Sequence, residues 1–145
     1  MKDKDLYNLV SAVNCIAPEV LDADNTPAAI DLQGCAGALV SIHIGAGGIT
    51  FSDTNKVEFK LTHSDDNSSY AAVTVNDVVG LSSVGTGGII KSLTAEHATA
   101  TLTKVGYKGG KRYLKVLADF SGTHGTGTPM AVSVIKGGVD ILPVS

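Results

Sequence analysis

The sequence predicts an all-β protein: a single antiparallel β-sandwich, or a partly closed barrel, of about seven to eight short strands. Three observations carry this expectation. Between Lys56 and Thr62, Val57, Phe59 and Leu61 alternate with Lys56, Glu58, Lys60 and Thr62, the period of a strand with one face on a core and the other in water. Turn-forming clusters of Gly, Ser, Asn, Asp and Pro punctuate the chain at roughly ten-residue intervals. The composition, with 17 glycines, no Trp and abundant Thr, Ser and Val, suits short strands joined by tight turns.

Taken in order, Leu6, Leu9, Val10 and Val13 are spaced for a short helical turn, and they equally suit an extended arm that packs only when something covers it. The stretch Asp22–Pro27 is turn chemistry, after which Ala28–Leu32 forms a short strand. Val40, Ile42 and Ile44 alternate with Ser41 and His43 in a second strand, which ends in a hairpin turn at Gly45–Gly48. The strand at Lys56 then breaks into Ser64–Ser69, short polar side chains that bond to nearby backbone, and Tyr70–Val73 returns as the other arm of a hairpin. Leu81–Gly88 reads as an exposed loop, Ile89–Leu93 as a short apolar strand, and Thr94–Ala98 as one helical turn capped by Thr94. Thr99–Tyr107 and Lys111–Phe120 flank Lys108-Gly109-Gly110, the signal of a tight hairpin. Met130–Lys136 is the last strand. Val40, Ile42, Val57, Phe59, Leu61, Leu114, Val116, Phe120, Val132 and Val134 are the expected core. The corresponding division is an N-terminal arm at 1–18, a sandwich domain at 19–138 and a C-terminal tail at 139–145.

At 145 residues the chain is expected to bury one sizeable core. Hydrophobic residues at 43% against 17% charged exclude charge-driven disorder, and a formal charge of −3 leaves no electrostatic footprint for nucleic acid. The first eighteen residues alternate charged and apolar side chains, unlike a signal peptide, and no segment has the ~20 apolar residues of a membrane helix. Synthesis and retention in a cytoplasm until assembly is the matching expectation. Cys15 and Cys35 lack metal-site spacing and are expected to be free thiols.

No pattern of residues points to catalysis, and no cofactor is expected. Gly45-Ala46-Gly47-Gly48 lacks the Lys-Ser/Thr ending and following helix of a phosphate loop. His43 and His63 are read on the polar faces of their strands, where they could meet with Asp65 or Asp66 as a third ligand, but surface histidines outnumber ligands and no metal site is assigned. Asp65-Asp66-Asn67 offers oxygen ligands without the spacing or closing Glu of a calcium loop. His124 stands near Ser121 and Thr123 with nothing to orient it as a catalytic base. The side chains expected to bind a partner are Leu6, Leu9, Val10, Val13, Ile141 and Leu142, all apolar and all outside the clear strands.

Three stretches together resemble a group of small head-associated structural proteins of tailed bacteriophages: Ala28–Phe51, Asn55–Gly80 and Val105–Gly137. The second is similar to that group's strand, Ser-Asp-Asp turn, aromatic and Val-Asp pattern; the third to its closing hairpin with an Arg-Tyr strand and a Gly-Thr-Pro loop. Tyr70 stands where that group often has Trp, and Cys35 where a larger residue is common. The resemblance implies a non-enzymatic virion component, foremost a decoration (cement) protein. Its partners would be the major capsid protein or other virion proteins, and it would act as a homo-oligomer without direct contact to nucleic acid or membrane. A head–tail connector, tail-completion or fibre-base protein is the nearest alternative. A carbohydrate- or cation-binding sandwich module is the alternative of another class, disfavoured by a chain with three Phe, four Tyr and no Trp.

Overall fold

In the computed structural model, which describes residues 5–96 and 98–138, strand patterning is realised almost throughout. One helical turn, α1 (Leu6–Leu9), is followed by β1 (Val10–Leu21), β2 (Ile30–Asp31), β3 (Gly37–Ile44), β4 (Lys56–Ser64) and β5 (Ala71–Ala72). A single 3-10 turn at Val75–Asp77 leads to β6 (Val78–Val79), β7 (Ile89–Leu93), β8 (Thr101–Tyr107), β9 (Tyr113–Ser121) and β10 (Thr128–Gly137). The described residues thus form ten strands rather than seven or eight: β1 stands where a helical turn or an arm is expected, and the two-residue β6 is too short to leave a periodic signal.

The strands make two antiparallel sheets of five. The first runs β1-β10-β3-β8-β6. The second runs β2-β9-β4, with β5 and β7 sharing the far edge of β4: β5 opposite Thr62 and His63, β7 opposite Val57–Lys60. Their inner faces interdigitate as the period-two pattern requires. Val40, Ile42, Val105, Val132 and Val134 from the first sheet and Val57, Phe59, Leu61, Leu114 and Val116 from the second are wholly buried. Nine of the ten expected core residues lie there. Phe120 keeps the inward parity but sits half-buried at the rim, edge-on to the His124 ring with centroids 4.7 Å apart.

The opening hairpin forms as expected, with β4 returning through the Asp66 turn into β5. Two other turns expected to close hairpins have a different outcome. Lys108–Gly110 does not close a hairpin, since β8 belongs to the first sheet and β9 to the second. Positive φ at Gly110 lets the chain reverse, and a Cβ at Gly109 would lie 2.8 Å from the Tyr107 ring, so the close approach requires glycine. The Gly45–Gly48 turn and the Ser121–Gly127 loop likewise carry the chain from one sheet to the other. Residues 94–96 are not helical; the link from β7 to β8 holds only seven residues, and β8 is claimed by pairing to β3.

The expected boundary between arm and domain at residue 18 falls inside β1. From Val10 onward this segment is a strand paired to β10, and the helical alternative survives only as the single turn α1. Asp5 caps that turn by accepting from the Asn8 amide at 3.2 Å.

Candidate interaction surface

Cross-strand partners in a sheet share a face, so register fixes what the first sheet presents outward. One row crosses the whole sheet: Ala12 opposite Ile135, Ile135 opposite Leu39, Leu39 opposite Gly106, and Gly106 opposite Val79. All five are apolar on the face that usually carries polar residues. The adjacent row is Val10, Gly137 and Gly37. Two glycines beside Val10 leave no side chains over the sheet, and a groove of about 470 Å³ opens there, walled by Leu6, Val10, Leu39 and Ile135.

The sequence-expected partner-binding residues divide on this surface. Leu6 is 59% exposed at the groove mouth; Val10 lines it half-buried, with Leu9 beside it, also half-buried. Val13 turns the other way and packs against the core. Ile141 and Leu142 lie outside the described residues. Ala12, Leu39 and Ile135 were not singled out in the sequence, although Leu39 and Ile135 stand at outward parity beside inward Val40 and Val134.

Elsewhere several of the titratable groups singled out in the sequence are engaged. His43 and His63 do not meet: His43 is exposed on the first sheet, while His63 shares the inward parity of Val57, Phe59 and Leu61 on the second and is buried. Its Nδ1 lies 2.9 Å from the Tyr107 hydroxyl, joining the two sheets. Burial pushes the His63 imidazole below its ordinary pKa, with Lys111 adding to the effect and Asp77 and Asp65 opposing it. Burial likewise pushes the Tyr107 phenol up. The Tyr107 oxygen accepts the Lys111 amide at 3.1 Å, which leaves its hydrogen to donate to a neutral His63.

In the Asp65–Asn67 loop, Asp66 accepts from the Ser69 and Ser68 amides, and these with the Ser64 hydroxyl hold its carboxyl at about 2. Asp65 pairs with Lys111. The loop carboxylates therefore serve a turn and an ion pair. The Arg112 guanidinium grips Asp31 through two nitrogens, at 2.9 and 2.8 Å, and holds that carboxyl at about 2 while tying β2 to β9. His124 is buried between Phe51 and Phe120, its Nε2 2.8 Å from the Ser121 carbonyl, and cannot reach an external substrate. Both cysteines are free, with burial raising the pKa of Cys15. Among the described residues no group of three or more His, Cys, Asp or Glu is placed to hold a metal ion.

No protein-family model matches the chain, and no curated protein matches its sequence. No helix among the described residues is long and apolar enough to cross a membrane. What the arrangement offers chemically is an open, uncharged surface of backbone and aliphatic side chains, suited to holding another protein.

Proposed function

We propose that the protein is a non-enzymatic structural component of a tailed-phage virion, foremost a decoration protein that binds the major capsid protein on the outside of the head as a homo-oligomer. The observation that carries this reading is the apolar groove and the row beside it on the outer face of the first sheet, where a domain in water would present polar side chains. The likeness of Ala28–Phe51, Asn55–Gly80 and Val105–Gly137 to head-associated phage proteins supplies the biological setting. A shell under internal pressure gains from a cross-linking domain because each modest contact is repeated over many symmetric copies.

The test is co-sedimentation with undecorated heads. Leu6 is exposed and outside every ladder, so Leu6→Asp should leave the melting curve unchanged while weakening attachment roughly tenfold, equivalent to ~1.4 kcal/mol. Native protein that fails to sediment with heads, or a variant that attaches as well as the native chain, overturns the reading.

A further inference from the structure

Each exposed sheet edge needs protection against unwanted strand pairing, by shortness, cover or a charged side chain. β6 and β2 are two residues long. Past β6 the open stretch of β8, residues 101–105, carries Lys104. Beyond β2, the edge of β9 is covered by side chains: Asn25 donates to the Val116 carbonyl at 3.2 Å and accepts from the Ala118 amide at 2.8 Å, while Asp24 accepts from the Phe120 amide at 2.7 Å. On the other side of the second sheet, β5 and β7 divide the edge of β4 into short pieces.

β1 is the exception, with twelve residues on an edge. Its later half is broken by register shifts between Asn14 and Glu19 and by Pro18. Its earlier half, Val10–Asn14, pairs regularly with β10, and no residue from Val10 to Pro18 carries a charge. The side chains around it repeat the anomaly. Of six exposed large apolar residues among those described, Leu6 and Tyr7 stand before the strand and Val20 stands near its far end. A second apolar depression, of about 340 Å³, lies beside Val20 against Pro18, Pro129 and Met130.

We propose that β1 pairs antiparallel with β1 of a second copy of this chain across a two-fold axis near Ala12, joining two five-stranded sheets into one of ten strands. The two-fold is what makes the second copy the fitting occupant. It carries the Leu6–Tyr7 end of each strand to the Pro18–Val20 end of the other, so that each exposed apolar end covers its counterpart. No like charges oppose one another along the Val10–Asn14 ladder; at its ends the two-fold sets Asp5 of one copy near Glu19 of the other, both solvent-exposed, where repulsion is weak. A stable interface needs on the order of 1,200–2,000 Å², more than a five-residue ladder supplies, and the apolar ends extend the contact. The pairing gives a geometry to the homo-oligomer of the proposed function and does not rest on the virion itself.

The experiment is sedimentation equilibrium of the full chain, with melting curves as a check on folding. Ala12 is exposed on the outer face, so a charge there is compatible with the fold. The native protein should be a dimer; Ala12→Lys and Ala12→Asp should each be monomeric, through like charges at the two-fold; and mixing the two variants should restore a one-to-one dimer. Val79→Lys, at the opposite edge, should remain dimeric. A native monomer, or a dimer that survives Ala12→Lys, overturns the proposal. A native monomer whose binding to heads is lost in Ala12→Lys overturns the pairing and assigns Ala12 to the contact with another protein instead. Attachment of the native chain to heads is read separately: a monomer that attaches overturns the pairing alone, and a dimer that does not attach overturns the virion reading alone.

Discussion

His63 shows how much one polar side chain inside a sandwich can decide. Buried and joined to Tyr107, it is held neutral because a proton on Nδ1 would compete with the phenol hydrogen and sit in an apolar surround. Its folded pKa lies below the ordinary 6.5, so from that value downward the unfolded chain takes up the proton first and stability falls with pH. The loss stops once pH is below the folded pKa as well. The native protein should therefore lose stability below pH 6.5 by up to ~1.4 kcal/mol per pH unit. His63→Gln, which still offers an acceptor to Tyr107, should be flatter over that interval in urea titrations. The inward position of His63 was legible, since it continues the parity of Val57, Phe59 and Leu61. Its polar chemistry argued for the wrong face, and only the partner phenol from the other sheet resolves why a histidine can be inside.

At the level of elements, strands with a clear period of two were readable one by one, and β3, β4, β9 and β10 lie where alternation places them. Which strand pairs with which was not. A glycine turn announces that the chain reverses, but a hairpin and a crossing between sheets both follow inward-facing strands, so Lys108–Gly110 carried no information on its destination. The same holds for the interaction surface: Leu6 and Val10 were conspicuous as apolar residues outside clear strands, whereas Ala12 gains its meaning only from lying opposite Ile135. Nor did the Asp22–Pro27 turn disclose that Asp24 and Asn25 stand in for a missing strand beside β9. Asn25→Ala leaves the Val116 carbonyl and Ala118 amide without their partner and should destabilise the protein by about 1–3 kcal/mol in chemical denaturation. A loss within a few tenths would mean that water replaces the side chain at that edge.

Over the whole molecule, the sandwich is held by pairings far apart in sequence. Val10 lies opposite Gly137, and β10 carries both the β1 and β3 ladders. Such topology delays folding, because chain entropy is lost before the contacts that reward it form. Refolding from denaturant should take milliseconds to seconds, as measured by stopped-flow fluorescence of the tyrosines; microsecond refolding would contradict these pairings. One further consequence concerns the order in which the chain is made. Because β10 stands between β1 and β3, the first sheet cannot close around its middle until β10 has left the ribosome. A nascent chain stopped anywhere before Thr128 leaves β1 and β3 without their shared partner, and those strands stay open to proteases and chaperones. Synthesis through β10 thereby becomes a condition for protection of the first sheet.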